Sequence, residues 1–165
     1  EARNTFIKKL VLDLKTNTLL LFRFVEKHGK ILYDMIKEES NGRTIFFVHG
    51  GTDADTREQI RHIVESERNA IIVASYGVFS VGVDIRNLHN IVFASPSKSR
   101  VRNLQSIGRG LRKSEKKEIA TLYDIADDLS YGSSHNYTLD HFEERKKIYK
   151  EEKFSVAEYV VQLKT

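Results

Sequence analysis

Leu19-Leu20-Leu21-Phe22-Arg23 decides how the rest of the chain is read. Four consecutive large apolar residues closed by a cation do not alternate, so the run predicts a strand buried on both faces rather than a half-solvated one. Three more runs of the same kind follow: Thr44-Ile45-Phe46-Phe47-Val48, Ala70-Ile71-Ile72-Val73-Ala74 and Asn90-Ile91-Val92-Phe93-Ala94. A fifth strand is read around Ala120-Thr121-Leu122-Tyr123-Asp124-Ile125. Helical spacing fills the gaps. Phe6, Ile7, Leu10, Val11 and Leu14 recur as one face of a helix, and His28–Glu39 carries Ile31, Leu32, Met35 and Ile36 inward. Asp53 or Asp55 caps a helix bearing Ile60, Ile63 and Val64. Strands alternating with helices through short connections predict an α/β fold, a three-layer domain with a largely parallel central sheet and helices on both faces.

Ligands of such sheets bind beyond the carboxyl ends of the strands, where Arg23, His49-Gly50, the stretch 75–84 and Ser95 fall. From Asp128 the character changes. Ser130–Asn136 is polar, Asp140–Lys153 reads as a charged helix of mixed sign, and Val156–Leu163 reads as a final strand or helical tail. The expected division is therefore a domain over 1–128 and an extension over 129–165, packed on it or following it.

Composition narrows the function classes. The net charge of the 165 residues is +4, yet Lys98, Arg100, Arg102, Arg109, Arg112, Lys113, Lys116 and Lys117 crowd one region with Glu115 the sole acid among them. That density favours an anionic partner such as nucleic acid or nucleotide phosphate. There is no cysteine, so neither a disulfide framework nor a thiolate metal site exists, which fits a reducing cytoplasm. No apolar run reaches membrane-spanning length. The chain opens at Glu1-Ala2-Arg3 without methionine and is read as a piece of a longer polypeptide. Gly29-Lys30 is not a P-loop, because Phe24 and Ile31 stand where glycine and a hydroxyl residue are needed. The scattered histidines give no metal-ligand spacing.

Two stretches carry chemistry. Gly82-Val83-Asp84-Ile85 offers a glycine for close backbone approach and a carboxylate to accept hydroxyl hydrogen bonds. Gln105-Ser106-Ile107-Gly108-Arg109-Gly110-Leu111-Arg112 reads Q-x-x-G-R-x-x-R. On a helix, Gln105, Arg109 and Arg112 fall within roughly 60° of one another along about 10 Å. Convergent guanidiniums suit a phosphate; the competing reading is an amphipathic helix with solvated arginines.

G-x-D-I followed by Q-x-x-G-R-x-x-R with a strand between resembles motifs V and VI of superfamily 2 helicases. The Leu19–Phe22 strand then resembles motif IV, and the His49-Gly50 loop with Arg57 resembles the loop and helix after it. The resemblance spans about residues 4–127. It implies a RecA-like second motor domain that works with an N-terminal RecA-like domain of the same polypeptide, with ATP and Mg²⁺ between them. Arg112 would be the arginine finger, Arg109 a second arginine on the phosphate side, and Gln105 would help place them. Asp84 would touch the ribose and Gly82 would lie near the phosphates. Nucleic-acid contacts would come from Arg23, His49, Gly50 and Thr52. Many relatives have a phosphate-binding threonine where Tyr76 stands, so that contact is assigned to Ser75 beside it. The motifs stand in the family's order, and in its details the chain most resembles phage recombination-repair helicases, which implies branched or single-stranded DNA as partner: stalled forks, recombination junctions, R-loops. Magnesium ligands would lie on the other domain, and this part alone would hydrolyse nothing. The competing reading is a non-catalytic nucleic-acid-binding module of degenerate RecA-like fold. A metabolic nucleotide-binding enzyme should instead show a glycine-rich turn where Phe22-Arg23-Phe24-Val25 stands.

Overall fold

The computed structural model describes residues 1–79, 87–95, 121–129 and 136–164. Five strands form one sheet: β1 (Thr18–Phe22), β2 (Ile45–Val48), β3 (Ile71–Ser75), β4 (Asn90–Phe93) and β5 (Thr121–Asp124). Their order is β2-β3-β1-β4-β5 and every pairing is parallel. β1 lies at the centre, with Thr18 opposite both Ile71 and Asn90. The continuous apolar runs have this cause: β1, β3 and β4 are buried on both faces.

Side chains of β1 divide by parity. Leu20 and Phe22 join Ile7 and Val11 of α1 (Ala2–Asp13) and Leu32 and Ile36 of α2 (Lys30–Glu38). Leu19 and Leu21 join Ile60 and Val64 of α3 (Ala54–Ser66) on the opposite face. Each large aliphatic or aromatic side chain so buried contributes about 1.5–3 kcal/mol. The result is the three-layer α/β arrangement that the apolar runs predicted.

A short helix, α4 (Tyr76–Phe79), follows β3. The last helix, α5 (Tyr137–Glu151), lies on the α3 face, where Tyr149 belongs to the core and Ile148 and Phe154 pack against it. α5 ends in a Schellman motif: the Phe154 amide donates to the Tyr149 carbonyl at 2.9 Å and the Lys153 amide to that of Lys150 at 3.0 Å, with Lys153 at φ 60°. The chain beyond Phe154, read from sequence as a strand or helical tail, has no regular structure over 155–164. Tyr159 and Val160 stand 84% and 91% exposed, so nothing here stabilises either periodicity.

Two polar residues tie the amino ends of the strands together. Asn17 is fully buried; its amide nitrogen donates to the carbonyls of Val64, Glu67 and Asn87, and its oxygen accepts from the Ala70 amide at 2.8 Å. The Arg43 guanidinium closes the end of α1, donating to Leu12 and, across the gap, to Asn69. Of the two proposed caps for α3, Asp53 is the one used: its carboxylate accepts from the Thr56 amide at 2.8 Å and hydroxyl at 2.9 Å. The first of these bonds is the main reason that its pKa lies below the ordinary aspartate value.

The α-helix expected from His28 begins instead at Lys30, after a π-helical turn over Val25–Gly29. The Gly29 amide reaches back to the Phe24 carbonyl at 2.9 Å. A Cβ on Gly29 would lie 2.3 Å from the Phe22 ring, so the glycine lets the chain pass directly over that ring.

Candidate functional site

Three neighbouring strands, β2, β3 and β1, bring all five expected nucleic-acid residues to one edge of the sheet. Val48 pairs with Ala74, and Phe22 with Ser75, so the carboxyl ends of these strands are level. His49, Gly50 and Thr52 follow β2, Ser75 ends β3, and Arg23 follows β1. At the usual strand spacing of about 4.8 Å, this strip is roughly 10 Å wide.

Arg23 and Phe24 are exposed, and the Arg23 guanidinium carbon sits 4.8 Å from the Phe24 ring centroid. The His49–Thr52 loop holds its own shape. The His49 amide donates to Thr52 Oγ1 at 3.1 Å, the Thr52 amide to the His49 carbonyl at 2.9 Å, and the Gly51 amide to His49 Nδ1 at 3.0 Å. That last bond fixes the His49 tautomer with its proton on Nε2. Neither Gly50 nor Gly51 has positive φ; a Cβ on Gly51 would meet the His49 ring at 2.8 Å, whereas one on Gly50 would meet open space. Gly50 therefore leaves its backbone approachable. Ser75 is buried at 8% exposure. On the helix after the loop, Arg57 Nε is buried with no hydrogen-bond partner.

On the other side of β1 lies a polar network that the sequence did not disclose. His28 Nδ1 is 2.8 Å from Ser95 Oγ and Nε2 is 3.1 Å from Asn4 Oδ1, joining the π-turn, the end of β4 and α1. Burial, reinforced by the Arg3 guanidinium and opposed by Asp127, holds the His28 imidazole below its ordinary pKa. Arg3 is bound to Asp127 at 2.7 Å. Deeper in, Arg145 of α5 grips Asp124 of β5 with both ends of its fork, Nε to Oδ2 at 2.7 Å and Nη2 to Oδ1 at 2.9 Å. Tyr149 Oη donates to the same carboxylate at 2.5 Å. Burial, then the Asp124 charge, pushes the Tyr149 phenol above its ordinary pKa, so it remains a donor. Between α5 and the carboxyl ends of β1, β4 and β5 a cleft of about 380 Å³ opens.

Gly82, Asp84, Gln105, Arg109 and Arg112 lie outside the described residues. Among the described residues, no three His, Asp or Glu side chains come together to hold a metal ion, and no helix is long and apolar enough to cross a membrane.

Residues 2–114 match the family model of the helicase conserved C-terminal domain. The chain is 37% identical over 174 aligned residues to the ATP-dependent DNA helicase UvsW of Enterobacteria phage T4, a match covering 98% of this chain and 34% of that protein. The crystal structure of T4 UvsW superposes with a TM-score of 0.74 at 39% identity over 93% of this chain and 33% of that one. The C-terminal domain of the DEAD-box protein Dbp5 superposes with a TM-score of 0.62 at 16% identity, covering 90% of this chain and 79% of that domain, which concerns the fold alone. The present chain thus spans about a third of the length of UvsW.

Proposed function

The chain belongs to the helicase conserved C-terminal domain family, and from that premise we propose that it is the second motor domain of an ATP-dependent DNA helicase or translocase that remodels branched DNA in the cytoplasm, that of the host cell if it is phage-encoded. The motor domain is residues 1–128, and 129–165 is an extension packed on it. A first RecA-like domain of the same polypeptide supplies the P-loop lysine and the magnesium ligands. The observation that carries this reading is the strip at the carboxyl ends of β2, β3 and β1. Arg23, the internally hydrogen-bonded His49–Thr52 loop and Ser75 share one level there. Backbone amides, short side chains and a cation arranged along an edge hold phosphates without reading bases, as a translocating motor requires.

The nucleotide belongs at the other functional stretch. ATP with Mg²⁺ supplies the scissile phosphoanhydride. Arg112 places a forked charge on the γ-phosphate, Arg109 braces the phosphate side, Gln105 orients the pair, Asp84 receives the ribose and Gly82 lets the backbone approach the phosphates. The exit of β1 has Phe22 under Gly29 where a P-loop would need open backbone, which supports the reading that this domain completes a nucleotide site rather than forming one. The 165-residue chain alone should therefore hydrolyse no ATP.

Arg112→Ala in the intact polypeptide tests the reading. An arginine acting on charge that develops in the transition state is worth a thousandfold or more in rate. The variant should lose kcat by that order while nucleotide and DNA affinities fall far less, and lysine should rescue poorly. A variant that unwinds branched DNA at the parent rate would overturn it.

A further inference from the structure

The cleft between β1 and α5 has an exposed aromatic on its wall. Phe24 lines it at 52% exposure, although a ring of this size is ordinarily buried in a core or interface. Of the other cations among its described lining residues, Arg3 is paired with Asp127 and Arg145 with Asp124. Arg23 and His141, which also line the cleft, have no ion-pair partner among the described residues. An exposed ring, with the Arg23 guanidinium 4.8 Å from its centroid and an imidazole lining the same cleft, offers stacking surface to an unstacked base and donors to its phosphate. The volume, about 380 Å³, lies within the range of small-ligand sites. His141 belongs to α5, so the C-terminal extension supplies one wall of this seat.

We propose that this cleft seats one nucleotide of a single nucleic-acid strand, with its base against Phe24 and its phosphate between Arg23 and His141. The proposal rests on the reading of the neighbouring strip as a nucleic-acid track and extends that track onto the extension. Duplex has no unstacked base to offer, so the seat favours single strands.

The test uses the intact polypeptide and fluorescence anisotropy with three probes: oligothymidylate and oligouridylate of about 20 nucleotides, longer than typical site sizes, and a blunt DNA duplex. Phe24→Ala should weaken binding to single strands about tenfold, at the low end of base–aromatic stacking, and leave duplex binding within about twofold. Phe24→Trp should bind as the parent does. Loss on both oligonucleotides assigns the seat to any single strand; loss on one assigns it to DNA or RNA. Because Phe24 is exposed, thermal midpoints of all variants should match the parent. If Phe24→Ala binds single strands as the parent does while Arg23→Ala loses single strand and duplex alike, the seat is refuted and the track stands. A parent that binds none of the probes would refute the track and the seat together.

Discussion

Separating Arg145 from Asp124 gives the sharpest test of how the extension is held. Both side chains are nearly inaccessible, at 2% and 8%, and Asp124 also receives the Tyr149 hydroxyl. Asp124→Leu leaves a buried guanidinium without its counter-charge and a buried phenol without its acceptor. Breaking a buried pair by removing one partner costs about 3–5 kcal/mol, and an unsatisfied hydroxyl pushes the figure toward the upper end. Arg145→Met belongs at the lower end, because Tyr149 continues to donate to the carboxylate. In a domain of this size each kcal/mol lowers the melting temperature by about 2–4 °C, so the single variants should melt about 6–20 °C early. Asp124→Leu combined with Arg145→Met removes both charges and fills the space with apolar volume. It should cost well under the sum of the singles, the mark of a coupled pair. Urea denaturation followed by circular dichroism, extrapolated linearly, gives all four corners of the cycle. Singles that cost under about 1 kcal/mol, or a double variant that costs their full sum, would refute the account.

Two further substitutions probe the π-turn. Gly29→Ala puts a methyl group into the Phe22 ring and should destabilise by about 1–3 kcal/mol, the usual cost of overpacking; a variant as stable as the parent in the same titration would mean that the ring moves aside freely. His28 makes stability depend on pH. The unfolded chain takes up a proton near the ordinary histidine value of about 6.5, whereas burial and Arg3 depress the folded value. The stabilisation is therefore complete above that ordinary value and is lost as pH falls through the folded one. Melting curves between pH 7.5 and 5 should show this decline, and His28→Gln should flatten it; identical slopes for parent and variant would contradict the assignment.

What the sequence disclosed follows from what periodicity can encode. Strands buried on both faces leave unbroken apolar runs, so β1, β3 and β4 were legible almost residue for residue, and a parallel sheet of such strands puts Arg23, His49 and Ser75 at its carboxyl edge. Asp53 was legible as a cap because capping is local. Asn17 was not, since a polar residue ahead of a strand reads the same whether it faces solvent or satisfies four backbone groups from three distant segments. Arg145 was hidden similarly: in a helix of mixed charge nothing marks the one arginine whose partner lies on β5. The π-turn was hidden because its cause is the clearance between Gly29 and the Phe22 ring, a contact that leaves no periodic trace.

The central position of β1 has a consequence for how the chain acquires its structure. Asn17 must wait for an amide 53 residues downstream, and Thr18 meets its partner on β4 72 residues downstream. During synthesis a strand that is buried on both faces in the finished domain therefore emerges with neither edge paired, and stays so until β3 and then β4 have been made. Sheets closed by such distant contacts fold slowly, and unpaired apolar strands are what nascent chains aggregate through. The order β2-β3-β1-β4-β5 thus makes the middle of the finished sheet the longest-exposed part of the unfinished one, and a chaperone acting on this protein has β1 as its natural client segment.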